Sequence, residues 1–260
     1  MREEYIQGES RSSGFFPVEA AEKMQQRRLL GCYGKRKLEE TMELGKMLQQ
    51  LTGGMLITTE IFILTLLFSL PLGLVLSFGR MSKVGVIRFL TKVYISIMRG
   101  TPLMLQLIVV YFAPYYVFGL KISQGYRMVA VILAFVLNYA AYFAEIYRSG
   151  IESMPVGQYE AAKMLGYSKA QTFLKIILPQ VIKRVLPAVT NEMITLVKDT
   201  SLAFVLTVTE MFTIAKQIAA AASQTNMMPF VAAAVFYYIF NLIVAMVMEH
   251  VEKRLNYYRG

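Results

Sequence analysis

Five apolar segments, roughly 55–78, 87–118, 126–147, 185–208 and 228–249, dominate the sequence. A hydrocarbon core about 30 Å thick takes about 20 mostly apolar residues to cross as a helix, and each segment is long enough. Inside lipid every backbone N–H and C=O must be paired within the protein, so such runs fold as helices. The expected fold class is therefore an all-α membrane protein with about five transmembrane helices. The second segment is long enough to tilt, or to break near Thr101-Pro102, where proline removes a donor and disfavours helix in the residue before it.

Composition agrees with this. Only 17% of the residues are charged and 56% are apolar, against roughly one quarter charged in soluble domains. The formal net charge of +10 in so apolar a chain reflects Lys and Arg kept in cytoplasmic loops rather than a nucleic-acid surface. If the first span runs inward, the inner loops hold thirteen basic residues, including Arg80, Lys83, Arg148, Lys163, Lys169, Lys175, Lys183, Arg184, Lys253 and Arg254. The outer loops between spans hold only Lys121, Arg127 and Lys216. The N-terminus is thus expected outside and the C-terminus in the cytoplasm of a cell-membrane protein.

The N-terminal tail does not fit that count, since residues 1–53 add nine basic residues, mixed with eight glutamates. Residues 1–41 read as a polar tail ahead of the membrane domain at 42–260, and translation starting at Met42 or Met47 is one explanation. Leu44, Met47, Leu48 and Leu51 share one helical face. No apolar h-region of a secretory signal occurs in residues 1–40.

Several chemistries are excluded. Cys32 and His250 are the only cysteine and histidine, so no disulfide, no zinc or haem ligand cluster and no Cys/His nucleophilic pair is expected. Neither a cofactor nor a metal is called for. Gly34-Lys35 and Gly45-Lys46 lack the upstream glycine and following hydroxyl of a nucleotide-binding loop. The chain is not expected to be an enzyme, and any ATP hydrolysis must come from a partner.

A charged side chain at mid-membrane costs roughly 2.5–3.5 kcal/mol, so those that persist face a protein interior or a cavity. Glu60, Arg99, Glu145, Glu192, Lys198 and Asp199 lie within or at the ends of the spans. In the third span Asn138, Tyr142, Glu145 and Ser149 recur at helical spacing; in the fourth, Glu192, Thr195 and Asp199 do so, with Asn191 and Lys198 flanking. Two spans with a polar stripe of this kind suit a path for a hydrophilic solute. The competing reading is of satisfied pairs that fix packing, such as Lys198 or Arg99 against a carboxylate. Glu60 reads as interfacial, and the methionines and the cluster Tyr111, Phe112, Tyr115 and Tyr116 as packing or lipid contact.

The largest inner loop, 150–183, contains EAAKMLGYSKAQTFLKIILPQ (160–180). Gly166 lets the chain turn, which predicts two short helices meeting at a bend, with Pro179 a stop before the next span. The competing reading is an amphipathic helix lying on the bilayer; the sparse apolar face of Ala161, Ala162, Leu165 and Phe173 favours a protein partner over it.

Here the residues resemble a known family. Glu160-Ala161-Ala162, then Gly166, Ile176 and Leu178-Pro179 at this spacing is similar to the EAA loop of permease subunits of binding-protein-dependent ABC importers. MRGTPLMLQ (98–106), AYFAEIYRSGI (141–151) and VKDTSLAF (197–204) are similar to stretches of the polar amino-acid uptake permeases. The resemblance spans roughly residues 45–255.

It implies a type I importer permease whose cytoplasmic coupling helix fits a groove on an ABC ATPase dimer, with Glu160, Ala161, Ala162, Gly166, Leu178 and Pro179 at the contact. It further implies a second permease subunit, identical or not, an extracytoplasmic binding protein and a polar amino-acid substrate. Candidate roles on the pathway are Asp199, Glu192 or Glu145 for an ammonium and Arg99 or Lys198 for a carboxylate. Asn138, Thr195, Thr200 and Ser201 would be neutral hydrogen-bonding groups. Two alternatives stay open: an ion-coupled secondary transporter, for which no matched repeats are found, and a non-transporting membrane scaffold.

Overall fold

A computed structural model describes residues 18–123, 125–221 and 227–255, with backbone alone for 18–42. The expectations for residues 1–17 and for side chains up to 42, Cys32 among them, lie outside the described residues. The chain divides into two units, Met1–Met47 and Leu48–Gly260. The described part of the first is the N-terminal portion of helix α1 (Val18–Arg80). All that follows concerns the second.

The described residues form helices only: α2 (Gly85–Gly100), α3 (Leu103–Phe118), α4 (Tyr126–Glu152), α5 (Val156–Met164), α6 (Lys169–Gln171), α7 (Leu178–Asp199), α8 (Met211–Ala221) and α9 (Met228–Leu255). A π-helical turn, Thr172–Ile177, joins α6 to α7, and a 3₁₀ stretch, Thr200–Leu206, continues α7. Three helices are long and apolar enough to cross a membrane: the Glu43–Arg80 part of α1, α4 and α9. Two bent pairs raise the number to five if each pair counts as one span.

The first bent pair corrects any picture of the second segment as one tilted helix. α2 and α3 meet at 113°, and at 16 residues each they run only about 24 Å. Thr101 and Pro102 are both extended (ψ 147° and 132°), as a residue before proline and a proline without a donor require. A break in lipid exposes carbonyls that need donors. Gln106 Nε2 donates to Met98 O (2.9 Å) and to Thr101 Oγ1 (2.7 Å). Asn138 Nδ2, from α4, donates to Met98 O (3.1 Å) and to Gln106 Oε1 (2.9 Å).

α4 is the central helix, packed against α2, α3 and α7. An aromatic ladder at i, i+4 spacing, Phe135, Tyr139, Phe143 and Tyr147, runs along it with centroids 6.3 Å apart at each step. Its small residues let neighbours approach closely, as membrane helix crossings favour. Gly73 of α1 lies so near α4 that a Cβ there would meet Phe143 Cβ at 2.7 Å. By contrast α9 exposes Val235, Tyr238, Leu242 and Val247, an apolar surface suited to lipid.

Pro179 ends nothing. It sits in the first turn of α7, where the missing N–H is tolerated, and the helical path from Lys169 continues through it. The second bent pair turns by 55° between Leu206 and Met211. Glu210, fully buried, accepts from Phe212 N (2.6 Å), Thr213 N (2.7 Å) and Thr213 Oγ1 (2.8 Å), capping α8. It also accepts from Tyr237 of α9 (3.1 Å). Thr58 of α1 accepts from Met211 N (3.3 Å), which bolts the start of α8 to two spans.

Candidate functional site

Two features stand out, a polar cavity and a helical hairpin, joined by α4 and α7. The cavity, about 610 Å³, is lined by Arg99 from the end of α2, by Tyr142, Glu145 and Ser149 from α4, and by Arg184 and Glu192 from α7. It thus brings together part of each sequence stripe. Gly150 makes it possible for α4 and α7 to close behind it: a Cβ there would lie 2.2 Å from Val185 Cγ1.

The charges divide into committed and uncommitted. Glu145 Oε2 accepts from Arg148 Nε (3.0 Å) and Nη2 (2.6 Å), and Arg80 Nε lies 3.7 Å from its other oxygen. Arg148 also bonds Glu152. Glu145 is therefore a satisfied ion pair, with Arg148 and Arg80 rather than with Arg99 or Lys198. Arg99 places its guanidinium 5.3 Å from the Tyr142 ring centroid, a cation–π contact. No ion pair among the described residues engages Arg99 or Glu192, although the two are near enough to influence each other electrostatically.

The remaining stripe residues do not line this cavity. Asn138 is buried and both its amide contacts serve the α2–α3 break. Asp199 accepts from the Tyr139 hydroxyl at 2.7 Å. Thr200 is fully buried and donates to Val197 O (2.7 Å). Ser201 donates to Lys198 O (2.8 Å) and Thr195 to Asn191 O (3.0 Å), while Lys198 is exposed. Hydroxyls within helices commonly bond back in this way.

Gln106, Tyr139, Arg184 and Glu210 hold or line these features without belonging to the candidate site residues of the sequence. Glu210 carried a usable signal, an acid directly before a helix with threonine three residues on. The others depend on tertiary contact.

The hairpin follows from local chemistry. α5 closes in a Schellman motif: Gly166 N donates to Lys163 O (3.0 Å) and Tyr167 N to Ala162 O (3.0 Å), with Gly166 at φ +79°, where glycine alone is unstrained. Ser168 and Gln171 form a capping box that starts the return helix. Gln158 of α5 and Gln180 of α7 exchange two amide hydrogen bonds of 2.9 Å. Ala162 is buried against the hairpin, whereas Glu160, Ala161, Met164 and Leu165 point outward, the last two among the most exposed apolar side chains. Leu178 and Pro179 are half-buried at the start of α7.

The model of the family described as binding-protein-dependent transport system inner membrane component matches residues 69–257. The chain belongs to this family. It is 35% identical over 208 residues to the L-cystine transport system permease protein TcyB of Bacillus subtilis, covering 80% of this chain and 87% of that one. It is 36% identical over 202 residues to the arginine transport system permease protein ArtQ of the same organism, covering 78% and 90%. The crystal structure of an amino acid ABC transporter with histidines superposes with a TM-score of 0.74 at 29% identity, covering 82% of this chain and 97% of that chain. The inward-facing MetNI methionine ABC transporter (TM-score 0.60, 17% identity, 80% and 95% covered) shares the fold. The fold is that of ABC importer permeases.

Proposed function

We propose that this chain is the membrane subunit of an ATP-driven importer of a polar amino acid. A cytoplasmic ATPase dimer would drive it through α5, and an extracytoplasmic binding protein would deliver the solute. A second permease subunit would complete the pathway, with the N-terminus outside and the C-terminus in the cytoplasm. The observation that carries this reading is the mechanical link between the hairpin and the cavity. α5 is tied to α7 by the Gln158–Gln180 pair, and α4 and α7, which flank the hairpin, are the walls of the cavity. Force on Glu160, Ala161 and Gly166 thus reaches the residues that line the path.

Within the cavity, Arg99 and Glu192 are the charges best suited to a zwitterion, a carboxylate against the guanidinium and an ammonium against the carboxylate. Asp199, held by Tyr139, lies farther along α7 as a second acidic position. Lys198, Thr195, Thr200 and Ser201 act at the edge of the path or within the helix.

The test is reconstitution with an ATPase and a binding protein encoded beside this chain. ATP-dependent uptake of a labelled polar amino acid, competed by its congeners, is expected. Uptake that persists without the ATPase and follows an ion gradient would instead establish a secondary transporter. No uptake with any polar amino acid, despite intact assembly, would leave the scaffold reading.

A further inference from the structure

A second cleft, about 800 Å³, opens beside α5, between its start and the first two turns of α7. The hydrogen-bonded Gln158–Gln180 pair is part of its lining. Three cations line it, Lys175, Lys183 and Arg184, and no carboxylate occurs among its described lining residues. Arg184 Nη1 reaches Ser153 O at 3.3 Å, which steadies the guanidinium at the rim. The rest of the lining is apolar, with Met154, Ile176 and Pro187 among it. Just outside, Leu174 and Ile182 are exposed, at 60% and 42%. Cations beside apolar side chains in one cleft match a group that joins a phosphate to hydrocarbon. Basic clefts between helices at a membrane surface take anionic headgroups.

We propose that this cleft binds the phosphate of an anionic phospholipid and so holds α5 against α7. The inference rests on the importer reading for one point, that this end of α7 lies at the cytoplasmic surface. Bound there, the headgroup would bridge Lys175, in the π-helical turn, to Lys183 and Arg184, one to two turns into α7. It would stiffen the joint through which α5 moves the cavity walls. The ligand is recognised by its charge and by its attachment to acyl chains, so a free phosphate is the rival source of the same chemistry.

The full-length protein, solubilised without ATPase or binding protein, is titrated by native mass spectrometry with phosphatidylglycerol and with phosphatidylcholine of identical chains. A saturable one-to-one adduct with phosphatidylglycerol alone is expected. Lys175→Gln and the pair Lys175→Gln/Lys183→Gln should weaken it by about fivefold per cation removed. Lys175→Arg/Lys183→Arg should retain it, which separates lost charge from lost fold. Lys253→Gln/Arg254→Gln, at the end of α9, should leave it unchanged.

Equal affinity for both lipids, or equal loss in the α9 variant, would overturn the site. Thermal protection by inorganic phosphate alone, matching that by phosphatidylglycerol, would overturn the lipid assignment in favour of a free anion. Both faces are accessible in the solubilised protein, so a failure here tells against the cleft and not against importer function, which uptake measures separately.

Discussion

Gly150 shows how much one missing methyl group can decide. A Cβ at this position would lie 2.2 Å from Val185 Cγ1 and 3.3 Å from Val181 Cγ1, closer than side chains tolerate, so alanine must displace the Val185 side chain or the helix that carries it. Gly150→Ala should lower stability by about 1–3 kcal/mol, the range for overpacking a filled interior, read as a drop in thermal unfolding midpoint in detergent. Gly157, in α5, has nothing within 4 Å of its would-be Cβ, and Gly157→Ala should instead gain about 0.5–1 kcal/mol. In the sequence both glycines fall within the expected loop 150–183. Their opposite signs depend on Val185, thirty-five positions beyond Gly150 in the chain, which no local pattern reaches. The same limit applies to Asn138: helical spacing puts it on a stripe with Tyr142 and Glu145, but spacing does not say whether a polar face is already occupied. Gln106 and the Met98 carbonyl occupy it here.

At the level of elements, the breaks are where polar chemistry concentrates. The α2–α3 bend was legible from Thr101-Pro102, because the constraint is local to the proline; the identity of the groups that satisfy it was not. Asn138→Ala removes a donor from the Met98 carbonyl, and Gln106→Ala removes one from both the Met98 and the Thr101 (3.1 Å) carbonyls; each should cost about 1–3 kcal/mol. Since the two side chains also bond one another at 2.9 Å, the double variant should cost less than the sum of the single ones. Strict additivity in the unfolding midpoints would show that the two act separately. The hairpin at Gly166 was also legible, again because a left-handed residue closing a helix is a local requirement. Gly166→Ala keeps every contact but places a side chain at φ +79°, at a cost of about 1–3 kcal/mol. The expected result is a protein that still inserts and still supports ATP hydrolysis by its partner, with fewer solutes moved per ATP. An unchanged uptake-to-hydrolysis ratio would remove α5 from the coupling path.

Across the whole molecule, the question is which charges meet the solute. Composition and apolar length made the membrane class legible, since it follows from what lipid excludes. The sorting of six intramembrane charges into pairs and free groups was not legible, because it depends on which helices adjoin. α4 supplies Arg148 to Glu145 from one turn away, and α1 supplies Arg80 from across the crossing. Arg99 and Glu192, on α2 and α7, are left facing a common cavity without an ion pair among the described residues. Neutralising Glu192 as Glu192→Gln, or Arg99 as Arg99→Gln, should therefore reduce uptake by about tenfold or more, the effect of roughly 1.4 kcal/mol in solute or transition-state binding. The amount of protein in the membrane should not change. Lys198→Gln, at an exposed position, should transport at close to the wild-type rate. Asp199→Asn separates two views of the fourth-span stripe. If Asp199 meets the solute, uptake falls while the unfolding midpoint holds; if it serves only Tyr139, to which it is bonded at 2.7 Å, the midpoint falls and Tyr139→Phe reproduces the loss. A variant set in which Lys198→Gln is the most damaging and Glu192→Gln is silent would move the path off the α4–α7 cavity and onto the outer face of α7.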